Sequence, residues 1–86
     1  STIKVDRTFV QGAAQGSAES LAIINAVVAM AQSLKMTTTA EGVETVEEAE
    51  LIRNLGCDKI QGFYFGRPMT ADDARGLFRQ ISERRA

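Results

Sequence analysis

The chain changes its hydrophobic period repeatedly: short β-branched or aromatic runs alternate with longer stretches whose apolar residues recur every three or four positions. No other feature restricts the fold as much, because strands separated by helical crossovers pair in parallel and carry their helices on the faces of the sheet. Ile3, Val5 and the pair Phe9-Val10 flank Lys4, Asp6 and Arg7, so residues 2–10 read as a strand running into a loop. Small residues between Gly12 and Gly16 make a turn, after which Ser17 or Ser20 can cap a helix. Ile24, Val27, Val28, Ala31 and Leu34 give that helix, residues 18–35, an apolar face.

Thr37-Thr38-Thr39-Ala40 reads as a second strand leading to Glu41, although three threonines are polar for a buried position. Thr45 and Glu48 have capping-box spacing, Val46, Ala49, Ile52 and Leu55 form the stripe of the helix they start, and Gly56 ends it. A third strand over 59–65 holds Ile60, Phe63, Tyr64 and Phe65, is split by Gly62 and stops at Gly66-Arg67-Pro68. Thr70 with Asp73 starts a last helix lined by Ala71, Ala74, Leu77, Phe78 and Ile81. The class is α/β: three consecutive βα units of an incomplete (β/α)8 TIM-like barrel, whose full length is about 250 residues.

Ten basic and eleven acidic residues leave a net charge of −1, which offers no broad field for a DNA or RNA polymer or an anionic membrane. Any phosphate must be held locally. The absence of histidine removes the commonest general base and transition-metal ligand, leaving carboxylate, lysine or a hard cation for any chemistry. One cysteine, Cys57, excludes an internal disulfide and fits a reducing, cytoplasmic setting. The longest apolar run, residues 21–31, is broken by Asn25 and is short of the ~20 residues a membrane helix needs. The first residues lack the pattern of a signal peptide.

Chemistry concentrates in Glu41-Gly42-Val43-Glu44, where two carboxylates stand three residues apart and a glycine allows close backbone approach. Such a pair faces a metal, a water or a phosphate, or is simply a solvated turn. Lys4 on the first strand, Glu41 at the end of the second and Gln61 on the third can converge where parallel strands gather ligands, at their carboxyl ends. Lys4 and Gln61 also have ordinary readings, as a solvent-facing lysine and a buried amide, and Asp6 is either a further site residue or a partner of Arg7 or of a loop amide.

Three blocks, Lys4-Val5-Asp6-Arg7-Thr8-Phe9-Val10, Ala40-Glu41-Gly42-Val43-Glu44 and Gln61-Gly62-Phe63-Tyr64-Phe65-Gly66-Arg67-Pro68, occur in order with helices of suitable length between them. In these the chain resembles the EAL-type cyclic diguanylate phosphodiesterases, whose late barrel strands carry K-I-D-R-x-F-V, A-E-G-V-E and a Q-G block ending F-G-R-P. The resemblance implies a barrel that hydrolyses one phosphodiester bond of cyclic-di-GMP to the linear dinucleotide, with Mg2+ or Mn2+. It implies that Glu41 is a metal ligand or base beside the attacking water, that Lys4 offsets phosphate charge, and that Gln61 bonds the water or the phosphate. It gives Glu44, Arg7 and Pro68 substrate-binding or loop-orienting roles, and Phe63, Tyr64, Phe65 and Pro68 either core positions or contacts to a guanine.

The E-A-L block, the asparagine and glutamate after it and the D-D-F-G block are missing, so residues 1–86 resemble the C-terminal fragment of such a domain, inactive alone. Implied partners are cyclic-di-GMP, the rest of the EAL barrel and, as a further possibility, a second copy of the domain, with no membrane contact from this segment. A catalytically inactive cyclic-di-GMP-binding or partner-docking module is the alternative.

Overall fold

Asp6 decides where the first strand stops. Its backbone is extended (φ −63°, ψ 148°) and its carboxylate accepts a hydrogen bond from the Thr8 amide at 2.9 Å, which makes it the N-cap of a helix. In the computed structural model, which describes residues 1–62, 69–70, 72–74, 76–77 and 79–80, β1 is Thr2–Val5 and α1 is Arg7–Ala14. This corrects the expected strand over 2–10. Phe9, Val10 and Ala13 have helical spacing, and Val10 and Ala13 are buried on one side of α1. The expected turn between Gly12 and Gly16 shortens to Gln15-Gly16, because Gly12 lies inside α1, packed so tightly on Ser20 that a Cβ there would strike the serine hydroxyl.

Ser17 caps α2, Ala18–Ser33, accepting from the Ser20 amide at 3.2 Å. Ile24, Val28 and Ala31 are buried as expected, but Leu34 falls beyond the last turn and is 59% exposed. Beyond it Lys35 takes a left-handed conformation (φ 57°), its amide bonding the Gln32 carbonyl while the Met36 amide bonds that of Ala31. A lysine closes a turn where glycine is usual.

The sheet order is β1-β2-β3-β4, with β2 (Thr37–Val43) parallel to both β1 and β3 (Lys59–Gly62). β2 runs through Glu41 to Val43, two residues past the expected strand end. β4, Met69–Thr70, pairs antiparallel with β3 and has no counterpart in the sequence reading. Between β2 and β3 lies α3, Val46–Asn54, whose capping box is complete: the Thr45 hydroxyl accepts from the Glu48 amide (3.0 Å) and the Glu48 carboxylate from the Thr45 amide (3.2 Å). Past β4, the Asp73 amide donates to the Thr70 hydroxyl at 3.1 Å, and residues 72–74, 76–77 and 79–80 are helical.

Val5, Ala40 and Ile60 stand in one row across the three parallel strands and form one buried cluster with Val10 of α1, Ile24 and Val28 of α2, and Ile52 of α3. The helices therefore cover that face. The polar threonines survive burial because each has a partner. The Thr38 amide and hydroxyl both donate to the Asp58 carboxylate (2.9 and 3.3 Å), and Thr39 shares a hydroxyl bond of 3.0 Å with Thr2. Tethering Asp58 to Thr38 also fixes the start of β3 against β2.

Candidate functional site

Side chains alternate between faces along a strand, so the register that buries Val5, Ala40 and Ile60 sends their neighbours the other way. Lys4, Thr39 and Lys59 form a row on the opposite face, and Glu41 and Gln61 follow two residues further along the same side. Lys4, Glu41 and Gln61 thus share the face that the described helices leave uncovered, toward the carboxyl ends of β1, β2 and β3. Lys4 is exposed while Glu41 and Gln61 are half-buried. Among the described residues no hydrogen bond or ion pair ties these three side chains together.

Next to Glu41 the sheet is irregular. Ala40 pairs with Ile60 and Val43 with Gly62, so three steps along β2 match two along β3, and the extra residue makes a bulge. Gly42 occupies it at φ +73°, a conformation that L side chains resist. A Cβ on Gly42 would also overlap Cβ, Cγ and Cδ of Arg7, and one on Gly62 would collide with the Val43 carbonyl. The bulge is therefore closed from both sides. Beyond it, the Glu48 carboxylate accepts from the Glu44 amide at 2.7 Å as well as from Thr45, pinning the backbone that carries Glu44. The Glu44 side chain itself is exposed, past the end of the strand.

Arg7 lies in the first turn of α1 rather than on a strand, exposed overall with its methylene stem against Gly42. Asp6 has a structural role, as the N-cap of α1 rather than as the partner of a loop amide, and the bond from the Thr8 amide keeps its carboxyl below the usual carboxylate range. Pro68 and the aromatics Phe63, Tyr64 and Phe65 lie outside the described residues, as do Ala71, Phe78 and Ile81. Sequence reasoning missed Thr39 and Lys59, which share the face of Lys4. Counting back two residues from Glu41 and from Gln61 finds both.

A cavity of about 370 Å³ opens elsewhere, lined by Arg53, Cys57, Asp58, Thr70 and Asp72 at the start of β3. It belongs to the opposite end of the sheet from Glu41 and Gln61. The Arg53–Asp72 ion pair (2.9 Å) closes part of it. Cys57 is a free buried thiol, its pKa raised by burial and by the charge of Asp58 against an opposing bond with Thr38.

The donors fit a hard cation by type, since the Glu41 carboxylate and the Gln61 amide both offer oxygen. Among the described residues, however, no group of three or more acidic or cysteine side chains could hold one. The described residues by themselves therefore do not make up a complete cation site.

The model of the EAL domain family matches residues 1–68. The cyclic di-GMP phosphodiesterase RocR of Pseudomonas aeruginosa is 46% identical over 69 residues, which are 80% of this chain and 17% of that protein. The solved PaMucR phosphodiesterase in complex with c-di-GMP superposes with a TM-score of 0.69 at 42% identity, over 86% of this chain and 30% of that one. BlrP1 of Klebsiella pneumoniae, solved as a manganese and cyclic-di-GMP complex, gives a TM-score of 0.69 at 38% identity over 81% of this chain and 18% of that one. The chain spans only about a tenth to a sixth of the curated relatives RocR and MucR.

Proposed function

The chain belongs to the EAL domain family, and from that premise we propose that residues 1–86 are the C-terminal βα units of a metal-dependent cyclic-di-GMP phosphodiesterase. The single observation that carries this reading is the common face of Lys4, Glu41 and Gln61, reached from three adjacent parallel strands at their carboxyl ends. On that face the Lys4 ammonium offsets the charge that builds on the phosphoryl oxygens in the transition state. The Gln61 amide bonds a phosphate oxygen or the attacking water and fixes its line of approach. The Glu41 carboxylate orients that water and accepts its proton. Mg2+ or Mn2+, held by Glu41 together with carboxylates from the rest of the domain, would acidify water and neutralise the diester.

Glu44 and Arg7 orient the loop around Glu41, and Pro68 is assigned a substrate-binding or loop-orienting role from its motif alone. The partners are cyclic-di-GMP, the remaining strands of the barrel and a second copy of the domain. The setting is the cytoplasm, where the buried Cys57 stays a thiol.

The test uses the complete domain with manganese and cyclic-di-GMP, resolving cyclic from linear dinucleotide. Linear product that disappears with a chelator is the expected outcome. Tight binding of the dinucleotide with no hydrolysis would replace the enzyme with a receptor.

A further inference from the structure

Arg7 presses its stem on Gly42 through three carbons, next to Glu41 and inside the bulge that sets how β2 leaves the sheet. Two constraints meet there: Gly42 needs a left-handed backbone, and the space over it is filled by methylenes rather than by its own side chain. On the other side of the bulge the Val43 carbonyl sits where a Cβ of Gly62 would be. β2 is thus wedged between α1 and β3 at the residues that follow Glu41. α1 is itself fixed there by the Asp6 cap and by Val10 and Ala13 in the core.

We propose that Arg7 is a positioning residue for Glu41, acting through its aliphatic stem on Gly42 rather than through its guanidinium on the substrate. Without the stem, the glycine regains the backbone freedom that the wedge removes, and the Glu41 carboxylate loses its fixed direction. Small misplacements of a reacting group are costly, up to about a hundredfold in rate for roughly 1 Å. The inference rests on the phosphodiesterase reading for its kinetic consequence and on geometry alone for its structural one.

Three forms of the complete domain separate the possibilities: the parent, Arg7→Ala and Arg7→Met, the last keeping a stem without the charge. Alanine suits an exposed position in the first turn of a helix, so Arg7→Ala should fold. Two readouts are taken, hydrogen–deuterium exchange of the amides of residues 41–44, and kcat with KM for cyclic-di-GMP in manganese. Arg7→Ala should speed exchange at these amides and lower kcat by about tenfold or more with KM little altered. Arg7→Met should restore slow exchange and recover most of the lost kcat. Parental exchange in Arg7→Ala overturns the proposal, as does an Arg7→Met that matches Arg7→Ala in kcat or raises KM, which would put the guanidinium on the substrate. Should the parent domain hydrolyse nothing, the phosphodiesterase reading fails while the exchange rates still decide whether the stem holds the bulge.

Discussion

At the scale of single residues, Glu41 and Asp58 are two carboxylates in contrasting settings. Glu41 stands half-buried on the uncovered face, so Glu41→Gln in the complete domain should lower turnover by roughly a hundredfold or more while dinucleotide affinity stays within a few-fold. Steady-state kinetics and calorimetric titration check the two halves. Asp58 instead satisfies the amide and hydroxyl of the fully buried Thr38, and Asp58→Ala would strand both donors. That should cost about 1–3 kcal/mol, read as a lower denaturant midpoint at unchanged slope. Cys57 gives a pH signature. Its folded pKa lies above that of an ordinary thiol, so the stability it contributes is whole below about pH 8.5 and is lost as pH rises through the folded value. Denaturant midpoints across the alkaline range should fall, and Cys57→Ala should flatten that fall.

Among the elements, helix ends govern how the chain turns into and out of the sheet. Thr45→Ala removes the cap of α3 and should cost about 1 kcal/mol, whereas Glu48→Ala also frees the Glu44 amide and should loosen the loop beside Glu41. Hydrogen exchange at Glu44 distinguishes the two. Lys35→Gly should gain roughly 0.5–1 kcal/mol in thermal unfolding, because the left-handed turn strains any side chain. The capping box, α2 and the parallel order of β1, β2 and β3 were legible because their signals are local: fixed cap spacing, helical period, β-branched runs. α1 was not, since Phe9-Val10 suits a strand as well as a helix, and only the Asp6 carboxylate turning back onto Thr8 separates the two. Nor was the buried threonine pair, whose partners Asp58 and Thr2 lie 20 and 37 residues away in the chain. That Lys4, Glu41 and Gln61 stand on three neighbouring parallel strands could be anticipated from strand order. The bulge at Gly42, made by register against β3, could not.

Taken as a whole, the molecule is a sheet with its helices on one face and its polar row on the other. Among the described residues β1 pairs with β2 alone, which leaves its far edge and one sheet face open, and it is there that the proposal puts the remaining strands of a barrel. The isolated 86 residues should therefore release no linear dinucleotide from cyclic-di-GMP at any manganese concentration, and hydrolysis by the purified segment would refute the division of the site between the two parts. The most direct measurement is a crystal structure of the complete domain with manganese and cyclic-di-GMP. Lys4 Nζ, the Glu41 carboxylate and the Gln61 amide are expected around one metal-bridged phosphate, each within hydrogen-bonding or ligand distance of it or of its ion. A diester bound away from these strands, with the three side chains directed elsewhere, would contradict the account.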